Sequence, residues 1–179
     1  MQFGFGVGPD TSWMRKELTD LGVVELTNAE EVTDAFGKEK EGTMLLVINS
    51  VCGCAAGNAR PGLAHALNNE HKPDRIYTVF AGQDKEATQV AREQFPDFPP
   101  SSPSFAFFKD GEIKAMIPRH RIEGRTALEV AQDLKNHRKP YFMFDSNDIT
   151  SRFDAIRFAL SLATSKDVVL IFGKGREES

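Results

Sequence analysis

The chain has 179 residues and a formal net charge of −4; at ~100–200 residues per domain it holds one domain, or one domain with an appended element. Hydrophobic residues at 40% and charged residues at 27% exclude wholesale disorder, and the acidic balance argues against nucleic acid as a partner, since phosphate binding needs a basic face. The longest apolar runs are strand-sized, the opening MQFGFGVGPD has no basic start and no unbroken apolar stretch, and there are two cysteines, so no membrane span, no secretory signal and no disulfide scaffold are expected, and the cytoplasm is the expected location.

Residues 1–11 read as a glycine-rich leader. Asp10-Thr11-Ser12 caps a helix to about residue 21, and 23–26 is a short strand. Thr27 and Glu30 have the spacing of a capping box, opening a helix that Gly37 ends. Residues 43–49 (TMLLVIN) form a continuous apolar run, the pattern of a strand buried on both faces. A helix follows over about 55–69, with a kink expected at Pro61. Residues 75–81 are the next strand, and Asp84 caps a helix to about Phe95. A loop with Pro96, Pro99, Pro100 and Pro103 leads into 104–108 and 112–117. These flank an Asp110-Gly111 turn and read as an antiparallel hairpin. A last amphipathic helix spans 126–136.

This order predicts an α/β fold, a mixed sheet flanked by helices, over residues 12–137. Beyond the joint His137-Arg138-Lys139-Pro140, residues 141–144, 148–163 and 167–172 read as strand, helix and strand. The apolar stripe Ile149, Phe153, Ile156, Leu160 is too small a core to fold alone. The element 138–179 is therefore expected to extend the main sheet as an appended β-α-β unit.

Cys52-Gly53-Cys54 falls where a buried strand ends and a helix begins. A thiol reacts as its thiolate, and the unpaired N–H groups at a helix start favour that anion. Gly53 gives the backbone freedom to bring the two sulfurs together. With one residue between them, the disulfide ring is small and strained, which predicts an oxidising, readily reduced pair. Two other readings fit the same residues. One is a pair of inert buried cysteines. The other is a thiolate metal-binding module, although two thiolates are too few for a closed zinc site and no histidine stands close by. No cofactor is implied. Ser102-Pro103 enters a strand from the proline-rich loop; a cis bond there would offer backbone to a substrate chain, while a trans loop proline is the plainer alternative.

Four segments, NSVCGCAAGNARPG (49–62), VFAGQDKEAT (79–88), PSSPSFAFFKDGE (100–112) and IPRHRIEG (117–124), occur in order and together resemble the bacilliredoxins. The resemblance covers about residues 12–137. It implies a thioredoxin-like fold and thiol–disulfide exchange on mixed disulfides between proteins and bacillithiol, with weak disulfide isomerisation. It makes Cys52 the nucleophile, Cys54 the resolving thiol and Pro103 a cis-proline, with Gly53 and Ser102 beside the substrate. The implied partners are thiol-modified or disulfide-bonded proteins and bacillithiol. Arg119, His120 and Glu123 fall in a family motif; His120 is either a proton carrier or a structural hydrogen-bonding residue.

The leader departs from the family pattern. The tail also departs: Arg152–Ile156 (RFDAI) and residues 167–177 (DVVLIFGKGRE) resemble the C-terminal domain of Mur ligases, where a GKG-x-E turn helps hold the incoming amino acid. No phosphate-binding loop of the form G-x-x-x-x-G-K-[ST] is present, so ligase activity does not carry over. The chain thus reads as a fusion or an engineered chimera, and a chimera without dedicated activity is a further alternative.

Overall fold

A computed structural model describes residues 10–37, 40–69 and 72–136. The expectations for residues 138–179, including the appended β-α-β unit, lie outside the described residues. In chain order the elements are α1 (Ser12–Thr19), β1 (Val24–Glu25), α2 (Ala29–Gly37), β2 (Thr43–Ser50), α3 (Gly53–Leu67), β3 (Arg75–Ala81), α4 (Lys85–Arg92), β4 (Ser104–Lys109), β5 (Glu112–Ile117), a 3-10 turn (Arg119–Arg121) and α5 (Ala127–Asn136).

The five strands form one sheet in the order β1-β3-β2-β4-β5. β1 and β2 pair in parallel with β3, while β4 runs antiparallel to both β2 and β5. This is the mixed sheet that the element order predicts, closed by an antiparallel hairpin, and it matches the thioredoxin-like fold that the resemblance implies.

β2 is central because its sequence leaves nothing to expose. Every residue from Met44 to Ser50 is buried. Its side chains alternate between two cores. Leu45 and Val47 pack with Leu63 of α3, Phe105 of β4 and Val130 of α5. Met44, Leu46 and Ile48 pack with Val32 of α2, Ala87 and Ala91 of α4, and Phe108 of β4. Full burial of such aliphatic side chains is worth about 1.5–3 kcal/mol each. The hairpin turns at Asp110 (φ 53) and Gly111 (φ 81), the pair of positive φ values that selects Asp-Gly in two-residue connections.

Four helix starts or ends differ from the sequence reading. The capping box opening α2 is displaced by one residue: Glu31 N–H donates to Asn28 Oδ1 at 2.9 Å, and Thr27 N–H donates to Glu31 Oε2 at 2.6 Å. Asparagine is as good an N-cap as threonine, so the register with the better acceptor pair wins. Asp84 occupies the N-cap of α4 but makes no side-chain capping bond. Its carboxylate instead receives both Nη atoms of Arg15, at 2.8 and 2.9 Å, and a bidentate charge-assisted pair outcompetes one N–H. The same guanidinium meets Glu25 at 2.5 Å and lies 4.9 Å from the Phe80 ring centroid, tying α1 to β1, β3 and α4. α4 ends at Arg92, three residues early, because Phe95 turns into the core and Pro96 disfavours helix in the residue before it. α3, by contrast, starts two residues earlier than expected and runs on through Pro61.

Candidate active site

Cys52 is the N-cap of α3, with one residue between it and the end of the buried strand β2. Its thiol is free and partly exposed. The backbone is extended there (φ −65, ψ 110), and the Cys52 carbonyl accepts the first helical bond, from Ala56 N–H at 2.9 Å. Cys54 lies in the first turn of α3. Gly53, between them, is the first helical residue and has no positive φ. A Cβ built on it meets no atom within 4 Å. Helical backbone suffices at this position, and the missing side chain leaves the flank of Cys52 open.

The turn that presents Cys52 rests on a polar network that sequence reasoning missed. Cys52 N–H donates to Ser50 Oγ at 3.1 Å, and Ser50 N–H donates to Asn49 Oδ1 at 2.9 Å. Arg60, one turn beyond Ala56 on α3 and only 5% exposed, sends Nη1 to Asn49 Oδ1 (3.3 Å) and to the Ser50 carbonyl (3.4 Å). Its Nε donates to Glu17 of α1. The Trp13 ring lies 5.2 Å from the Arg60 guanidinium carbon, within cation–π range. Asn49 Nδ2 closes the ring of contacts on the Met14 carbonyl at 3.3 Å. A sequence signal existed: Asn49 and Ser50 are polar residues ending an otherwise apolar buried strand, and such groups need partners.

Pro103 is buried, and the Ser102–Pro103 bond is cis, as expected. The antiparallel register pairs Ile48 with Ser104. Continued by two residues, it sets Pro103 level with Asn49 and Ser102 level with Ser50. The 102–103 peptide and Cys52 thus share one edge of the sheet.

The Arg119–Glu123 segment is structural in its contacts. Arg119 N–H donates to Ser101 Oγ at 2.7 Å, and Arg119 Nη2 meets Glu123 Oε1 at 3.1 Å. Ile122 is fully buried, and Arg121 and Arg125 both reach Asp133 of α5. His120 is exposed on the 3-10 turn.

With this geometry in place, comparison with known proteins decides the family. The model of a family described as disulphide isomerase matches residues 11–141. The chain belongs to that family. A bacilliredoxin of Halalkalibacterium halodurans is 53% identical over 75% of this chain and 92% of its own length. A bacilliredoxin of Salinibacter ruber is 58% identical over 68% of this chain and 72% of its own. Among solved structures, thioredoxin O2 from Arabidopsis thaliana aligns over 67% of this chain and 97% of its own, at 15% identity and a TM-score of 0.46. The family match ends at Tyr141, close to where the sequence departs from the bacilliredoxin pattern.

Proposed function

We propose that this chain is a thiol–disulfide oxidoreductase of bacilliredoxin type, acting on mixed disulfides between proteins and bacillithiol through Cys52 and Cys54. The observation that carries the proposal is a free, partly exposed thiol at the N-cap of a 15-residue helix, where an incoming disulfide can reach it. In the first step the Cys52 thiolate attacks the bacillithiol sulfur. One S–S bond breaks, one forms, and the protein leaves as its thiolate. In the second step the Cys54 thiolate attacks Cys52 Sγ, releases bacillithiol and leaves a Cys52–Cys54 disulfide, which a further thiol reductant must reopen. Ser102 and Pro103 offer backbone to the substrate at the same sheet edge, and Gly53 leaves the approach unobstructed. Reducing mixed disulfides back to protein thiols is work for a reducing compartment, so the cytoplasm is the location this reading implies.

The test is an assay on a bacillithiol-modified protein. Cys52→Ser abolishes reduction, while Cys54→Ser traps a covalent bacillithiol adduct on Cys52 that mass spectrometry reads. Retained turnover in Cys52→Ser with loss in Cys54→Ser reverses the two roles. Retention in both variants removes the proposal.

A further inference from the structure

α4 and the proline-rich loop enclose a groove of about 530 Å³ that plays no part in the thiol chemistry. Lys85, Thr88, Gln89 and Arg92 line it. These positions are spaced three, one and three apart, so they form one stripe along α4. Phe98 and Pro100 of the loop make the opposite wall. Ala81, the residue before the groove begins at Gly82, pairs with Ser50. The groove therefore opens at the same edge of the sheet as Cys52, on the face covered by α4 rather than α3.

Its polar groups are incompletely matched. Thr88 is 3% exposed, and its Oγ1 has no hydrogen-bond partner among the described residues. The buried Arg92 Nε has none either. Arg15, Arg60 and Arg125 each hold a carboxylate; among the described residues Arg92 and Lys85 hold none. The one acidic side chain in the wall, Glu93, accepts from Gln89 Nε2 at 3.2 Å. Buried polar atoms without partners are costly, and two side chains lining one groove carry them, which favours a ligand that supplies acceptors. Burial also pulls the Arg92 guanidinium below its usual range, which a bound negative charge would reverse.

We propose that this groove binds a small anionic metabolite, its oxyanion group held between Lys85 and Arg92 and its apolar part against Phe98 and Pro100. The oxyanion is a phosphate monoester or a carboxylate; both accept from a guanidinium in the same fork geometry. Thr88 adds a hydroxyl, which a change of χ1 rotamer turns to the ligand. A groove of this volume suits a ligand of metabolite size.

The experiment is an amide-resolved NMR titration of the full chain with inorganic phosphate and, separately, with citrate. Chloride at matched ionic strength is the control, because exposed charges are screened by any salt. Saturable shifts are expected at Gly82, along Lys85–Arg92 and at Phe98, and the anion that saturates first names the class. Arg92→Gln and Lys85→Gln each weaken binding roughly tenfold. Thr88→Val weakens it severalfold without lowering the melting temperature. Cys52→Ser binds as the parent does, which separates this result from the fate of the thiol chemistry. Shifts that chloride reproduces, shifts confined to other segments, or unchanged binding in both Arg92→Gln and Lys85→Gln overturn the proposal.

Discussion

The backbone N–H of Arg119 donates to Ser101 Oγ at 2.7 Å. This single bond fastens the end of β5 to the loop that delivers residues 102 and 103 to the sheet edge, eighteen residues earlier in the chain. Ser101 is doubly used, since its carbonyl accepts from Ser104 Oγ at 2.9 Å. Ser101→Ala removes only the first bond and leaves a part-buried N–H unsatisfied. A loss of about 1 kcal/mol in urea unfolding is expected, together with slower exchange on protein disulfides. Unchanged stability and rate would show that the loop is held by other contacts.

Arg60 is the largest polar commitment near the thiol. Arg60→Met keeps most of the volume but strips the Ser50 carbonyl and Asn49 Oδ1 of their guanidinium donor. Glu17 lies near the surface and can be hydrated, so the cost stays below that of a stranded buried charge. A destabilisation of about 1–3 kcal/mol is expected. Alkylation of Cys52 and turnover of a mixed disulfide should both change, since the turn through Ser50 that positions Cys52 is loosened. Destabilisation with alkylation and turnover unaltered would restrict Arg60 to holding α1 on α3.

Gly62 of α3 packs tightly against α5. A Cβ there would lie 2.7 Å from Val130 Cγ1 and 3.1 Å from the Ala127 carbonyl oxygen. Gly62→Ala gains up to about 1 kcal/mol of helix propensity but forces the branched Val130 and its helix outward, at about 1–3 kcal/mol. Net destabilisation is therefore the expected sign, read as a lower urea midpoint. A stabilised variant would mean that α5 sits farther from α3.

Asp133 sets an acid limit on the α5 contact. Burial pulls its carboxyl up, but the hydrogen bond and charge of Arg125, with the charge of Arg121, outweigh burial and hold it below the ordinary carboxylate range. A carboxylate whose folded value is depressed stabilises fully above its unfolded value, about 3.9. That contribution is lost as pH falls through the lower folded value. Asp133→Asn should thus melt lower than the parent at neutral pH, and the gap should close as the solution is acidified below pH ~4. A gap that persists unchanged at low pH would assign the effect to packing rather than charge.

Local patterns carried much of the architecture. The apolar run at 44–48 could only be a strand covered on both faces, because every residue in it avoids water. Asp110-Gly111 specified its hairpin through two backbone angles that other residue pairs adopt poorly. The position of Cys52 at a strand-to-helix junction was equally legible, because it depends on residues within one turn of it. Other features depended on residues far apart in sequence. Asp84 had the spacing of a helix cap and became the partner of Arg15; Arg60 reached Glu17, Asn49 and Ser50 at once. A polar side chain takes the best partner that packing brings within about 3 Å, and the chain's own order does not say which that will be. The stripe of Lys85, Thr88 and Arg92 shows the same division: its helical spacing is written in the sequence, but the groove it lines exists only because the proline-rich loop folds back across α4.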